Sequence, residues 1–168
     1  MKKLIIIGLL LTQQVMAYDF PTEWTPYQYK ETPQFCPWFE RTTGFPIDAI
    51  TFPDRKTIYG CFEETDSAQW KKEATWHEYA HNYTYDAMSK EAQTKFWELF
   101  NALTKHNEQL KEFDFENDYS SKNADEFVAE YSRMVKFGQY EANGKLEEKL
   151  WQIFEKMNKS MEVQLTGY

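Results

Sequence analysis

At 168 residues the chain has room for one domain with a modest core and not for two. It carries 27 acidic against 19 basic residues, a formal net charge of −8. A surface this acidic argues against nucleic acid or anionic lipid as a partner.

Residues 1–17 have the organisation of a secretory signal peptide. Lys2 and Lys3 form the charged start, and Leu4 to Leu11 an apolar run broken only by Gly8. Val15-Met16-Ala17 is a small-residue cleavage site. The run is too short to cross a bilayer, and no later stretch is apolar for long enough, so no membrane association is expected. Cleavage after Ala17 predicts a secreted or periplasmic protein starting at Tyr18. Without Lys2 and Lys3 its net charge is −10, from 17 basic and 27 acidic residues.

Residues 18–46 are rich in aromatics. Pro21, Pro26, Pro33, Pro37 and Pro46 exclude a long helix there. We read the segment as an extended arm that lies on the core through its rings. Cys36 in the arm and Cys61 beyond it are the two cysteines of the chain. In an exported protein such a pair predicts a disulfide, with two buried free thiols as the alternative.

Residues 47–168 are expected to form the folded domain. Ile47–Phe52 and Thr57–Phe62 are short β-rich runs around Pro53-Asp54-Arg55-Lys56, the pattern of a hairpin. Asp66 with Gln69 predicts a cap, and a helix from about Ser67 to Tyr83. Ser89 caps a second helix with Ala92, Phe96, Phe100 and Leu103 on one face. Glu108–Lys122 is polar and loop-like. Asn123 starts a third helix that ends near Gly138. A last helix, roughly Lys145–Glu162, carries Leu146, Leu150, Ile153, Phe154, Met157 and Met161 as a core stripe. The fold class is α+β: a small antiparallel sheet or hairpin followed by a helical subdomain.

The first of these helices carries WHEYAH, Trp76 to His81. Residues four apart share a helix face, so His77 and His81 can aim two imidazoles at one ion. Glu78 comes round beside them, within reach of a water at that ion. The third histidine, His106, reads as a surface residue, and the residues after His81 lack the continuation of a three-histidine site. A better third ligand lies in NADEFVAEYSR, Asn123 to Arg133. There Glu126 and Glu130 stand four apart on an amphipathic helix. One carboxylate can bind the ion and the other can accept a hydrogen bond from a ligating imidazole.

His77-Glu-Tyr-Ala-His81 followed by Glu126-Phe-Val-Ala-Glu130 resembles the gluzincin metallopeptidases. The likeness is to the lethal-factor-like catalytic domains and the clostridial Pro-Pro endopeptidases, over Ser67 to about Gly138. It departs from them at Ala80, where lethal-factor-like motifs have glycine, and at Val128, where they have an aromatic. The resemblance implies a secreted zinc endopeptidase with His77, His81 and Glu126 as zinc ligands. It also implies Glu78 as general base, Glu130 as a partner of a zinc histidine, and Tyr119 as donor to the tetrahedral intermediate. Its substrate would be a protein or peptide bound extended along an edge strand, a place that Thr57–Glu63 would occupy. The alternative is a secreted binding protein with a non-catalytic metal site.

Overall fold

The computed structural model describes residues 18–31, 35–44, 47–110 and 120–165. The signal-peptide reading of residues 1–17 and the tyrosine Tyr119 lie outside the described residues, as does the side chain of His106.

The chain begins on its rings. Tyr18, Phe20, Trp24 and Tyr27 are all buried in the main core, against Phe96, Tyr79 and Tyr83 among others. The arm is not extended throughout, however. Gln28–Glu31 forms strand β1, and Phe35–Thr43 forms helix α1. Pro37 sits in the first turn of α1, where its missing N–H would have had no helical acceptor.

The expected hairpin is present. Strand β2, Ala49–Phe52, pairs antiparallel with β3, Thr57–Gly60, with Ile50 opposite Tyr59 and Phe52 opposite Thr57. A short 3-10 turn over Pro53–Arg55 joins them and ends at Lys56, whose φ of 50° closes the bend. β1 adds to the other side of β3 in parallel, with Tyr29 opposite Ile58. Among the described residues the sheet is therefore three-stranded and mixed, in the order β1-β3-β2. This corrects the sequence reading in one respect. Thr57–Glu63 is not an edge: β3 is the central strand, and the edge beside the helices belongs to β2. Gly60 on β3 leaves room for the Tyr29 hydroxyl, which a Cβ there would displace.

Cys36 in α1 is bonded to Cys61 just past β3, with Cα atoms 5.4 Å apart. The bridge straps α1 to the end of the hairpin. A disulfide fits an oxidising compartment. Among the described residues no helix is long and apolar enough to cross a membrane.

Four longer helices follow. Helix α2 spans Ala68–Asn82 and is capped by Ser67, whose Oγ accepts from Trp70 N at 3.1 Å. The cap is thus one residue later than expected, and Asp66 accepts instead from Glu63 N. α2 runs into a single π-helical turn, Tyr83–Ala87. Helix α3, Lys90–Leu110, is capped by Ser89. Helix α4, Ala124–Lys136, is capped by Asn123, whose Oδ1 accepts from Glu126 N at 2.9 Å. The chain leaves α4 through Gly138, at a φ of 68° that suits glycine. Helix α5, Lys145–Leu165, buries the expected stripe of Leu150, Ile153, Phe154, Met157 and Met161, with Leu146 at its margin. The architecture is α+β, a small sheet with a helical subdomain, and α2 packs most extensively on α4.

Candidate metal centre

The packing of α2 on α4 brings together side chains 49 to 53 positions apart. Two contact sets fix how α2 is rotated. On one side Trp76 Nε1 donates to Ser132 Oγ at 3.1 Å and to Asn158 Oδ1 at 3.2 Å, all buried. Ser132 and Asn158 also bond each other, which draws α5 into the knot. On the other side lie the two histidines and the carboxylates of α4.

His77 Nδ1 donates to Glu130 Oε2 at 3.1 Å. Its other nitrogen, Nε2, lies 3.1 Å from Glu126 Oε2 and 3.2 Å from His81 Nε2. His81 Nε2 is 3.5 Å from the same Glu126 oxygen. Two imidazole nitrogens and one carboxylate oxygen thus meet in a triangle with sides of 3.1, 3.2 and 3.5 Å. Donors about 2.0–2.1 Å from a tetrahedral zinc ion stand about 3.3–3.4 Å from one another, so the triangle is the size such an ion needs.

Glu78 is 8% exposed and His77 7%. Glu78 offers a carboxylate oxygen that lies, with one nitrogen of each histidine, within a sphere of contacts no wider than 4.8 Å. His77, Glu78 and His81 are therefore a buried group able to hold a metal ion. Glu126 and Glu130 stand over it on a packed helix. Glu126 Oε2 approaches the two imidazoles more closely than that limit, at 3.1 and 3.5 Å.

The electrostatics agree with the geometry. Burial by itself would lower the His77 pKa, but its bonds to Glu126 and Glu130 outweigh burial and raise it to about 9. Burial would raise the pKa of Glu126, yet the two histidines bring it down to about 2. Glu130 is held below the ordinary carboxylate range, against burial, by His77 and Arg133.

Two cavities of about 300 and 280 Å³ flank the group. Glu78 faces both, and β2 with Ile47 walls both on the far side. Trp70 and Ala74 close the first, and Tyr85, Pro53 and Asp125 the second. Thr51 on β2 ties strand to helix by donating to Glu78 O at 3.1 Å.

Sequence reasoning missed three residues here. Tyr85, in the π-turn, lies parallel to the His81 ring with centroids 6.0 Å apart. Burial, then the charges of Asp125, Glu126 and Glu78, push its phenol up to about 12, so it stays protonated at neutral pH. Arg133 and Glu73 form a largely buried ion pair at 2.9 Å behind Glu130. The π-turn was a signal in kind, since such turns cluster at functional sites, but it leaves no clear mark in sequence. Comparison with protein-family models, curated proteins and solved structures finds no match for this chain.

Proposed function

We propose that the protein is an exported zinc endopeptidase of the gluzincin type, with His77, His81 and Glu126 as the zinc ligands. One observation carries the reading: three donor atoms from two helices converge with mutual separations of 3.1 to 3.5 Å, and a fourth side chain, Glu78, lies within 4.8 Å of the two histidines. The buried donor set of two imidazoles and a carboxylate suits zinc. When bound, zinc supplies Lewis acidity that polarises a carbonyl and acidifies water.

The chain's own residues supply the rest. Glu130 keeps the proton of His77 on Nδ1 and so leaves Nε2 as the ligating atom. Glu78 takes a proton from water as general base and returns it to the leaving amine. Burial of Glu78 and its opening onto both cavities suit that shuttle. Tyr119 is assigned the donor to the developing oxyanion, a role that rests on the resemblance and on its offset from Glu126. The substrate is a peptide laid extended along the free edge of β2. Pairing with backbone there binds it without demanding a side chain, while the cavities on either side of Glu78 receive the residues flanking the cleaved bond.

The test is hydrolysis of a peptide library by the mature chain. Glu78→Gln should retain zinc and lose cleavage. A zinc-loaded wild type that cleaves no member of the library would leave a non-catalytic metal site as the better reading.

A further inference from the structure

Glu126 and Glu130 pose a problem of choice. They stand four apart on α4, and each places an oxygen 3.1 Å from a nitrogen of His77. Nothing in residue type decides which becomes a ligand and which stands behind the histidine. The difference lies in what each carboxylate meets on its other side.

Glu130 meets Arg133. The Arg133 side chain is 11% exposed, and the guanidinium grips both carboxylate oxygens, Nε to Oε2 at 3.0 Å and Nη2 to Oε1 at 2.6 Å. Its remaining arm, Nη1, reaches back to α2 and Glu73 Oε2 at 2.9 Å. Glu73 is buried and held in turn, by Gln69 at Oε1 and Gln139 at Oε2, both at 2.8 Å. A continuous chain thus runs His77, Glu130, Arg133, Glu73, leaving α2 at one point and returning to it one turn earlier.

We propose that Arg133 is a positioning residue that commits Glu130 to His77 Nδ1 and thereby leaves Glu126 as the glutamate open to the metal. The inference rests on the zinc reading above. A carboxylate gripped at both oxygens cannot swing towards the ligating nitrogens without breaking two charge-assisted bonds. The guanidinium also offsets charge where Glu73, Glu78, Glu126 and Glu130 crowd together. A lysine would supply the charge and not the planar two-pronged grip.

Three measurements on the full mature chain test this: zinc affinity by chelator competition, the visible spectrum of the cobalt-substituted protein, and the His77 Nδ1–H resonance in metal-free protein. Arg133→Met should weaken zinc binding by about 10–100-fold, the usual cost of disturbing a ligand's outer partner. It should also shift the cobalt spectrum and move the Nδ1–H signal from its hydrogen-bonded position. Arg133→Lys should not restore these. Glu130→Gln with Arg133→Met should bind zinc no worse than Glu130→Gln alone, because both act through one contact. The proposal is overturned if Arg133→Met folds and binds zinc as wild type does, or if the double variant loses the product of the two single effects. Should Arg133→Met not fold, Glu73→Gln and Gln139→Ala loosen the arginine in place. They should weaken zinc by several-fold, and wild-type affinity in both overturns the proposal. Absence of zinc uptake by wild type defeats the zinc reading instead. The Nδ1–H signal then still decides the clamp, which fails if that signal is unchanged in Arg133→Met.

Discussion

Metal-free protein should lose stability as pH rises from about 6.5 to 9, and His77 should account for the loss. Its pKa is 6.5 in a free chain and about 9 in the fold, where burial opposes the charge and the two glutamates prevail. A group with a raised folded pKa binds its proton more tightly in the native state. Its contribution is complete below pH 6.5 and disappears as pH climbs through 9. A difference of that size is worth about 3 kcal/mol. For a domain of this length that is a fall in Tm of about 6–12 °C. The glutamates do not confuse this window. Their pKa values are lowered, so their contribution is present above the ordinary carboxylate range and lost only as pH falls towards 2. It is also the same attraction seen from the other partner, and is not to be added. The assay is calorimetric melting of chelator-treated protein across the window, at constant ionic strength. His77→Gln should flatten the curve. Saturating zinc should reverse its slope, because the ion competes with the proton and gains on it as pH rises. A wild-type Tm that is level from pH 6.5 to 9, or a His77→Gln variant with the wild-type slope, would show that the proton is not shared as the geometry implies.

Purified mature protein should bind about one zinc per chain. His77→Ala, His81→Ala and Glu126→Ala should abolish that binding, while His106→Ala should not; metal analysis after dialysis decides it. Tyr119→Phe should keep zinc and lower kcat by about 10²–10³, the loss of one oxyanion donor; cleavage at the wild-type rate would remove Tyr119 from the mechanism. Protein recovered from outside the cytoplasm should take up no thiol reagent before reduction. Replacing Cys36 and Cys61 by alanine should cost about 3–4 kcal/mol, read by denaturant titration, because the bridge closes a loop of 25 positions.

What could be read from sequence was what local periodicity writes. HEYAH sits on a helix because its apolar and histidine positions recur every three to four residues. The stripe from Leu146 to Met161 is buried for the same reason. The hairpin was legible from two β-rich runs around Pro53. β1 was not, since Gln28–Glu31 is a mostly exposed QYKE that exists as a strand only by pairing with β3. Without β1 there was no way to see that β3 is central, and the edge was assigned to the wrong strand. α1 was hidden by flanking prolines that it tolerates only because Pro37 falls in its first turn. Glu126 and Glu130 were singled out by their spacing, and both carboxylates lie against His77. Arg133 lay in the same stretch, and its spacing of three from Glu130 was a local signal that went unused; its contact with Glu73, 60 positions away, exists only in three dimensions.

The triangle of two imidazole nitrogens and a carboxylate oxygen is a consequence of helix rotation more than of any single side chain. Side chains reach about 5–6 Å from a helix axis, so turning α2 by about 20° would carry an imidazole nitrogen about 2 Å. That exceeds the tolerance of a site whose donors are 3.1 to 3.5 Å apart. Apolar packing alone does not set rotation so finely, since it is non-directional. Hydrogen bonds do. Trp76 and His77 are neighbours in sequence and about 100° apart around α2, and each is bonded to α4, one to Ser132 and the other to Glu130. A rotation that shortens one contact lengthens the other. Each of these buried polar groups would cost about 1–3 kcal/mol if left without its partner. The pair of contacts therefore acts as opposed stays on the helix. Their cost is tolerated at a place where a purely apolar interface would be no less stable, and would leave the two histidines and Glu126 out of register.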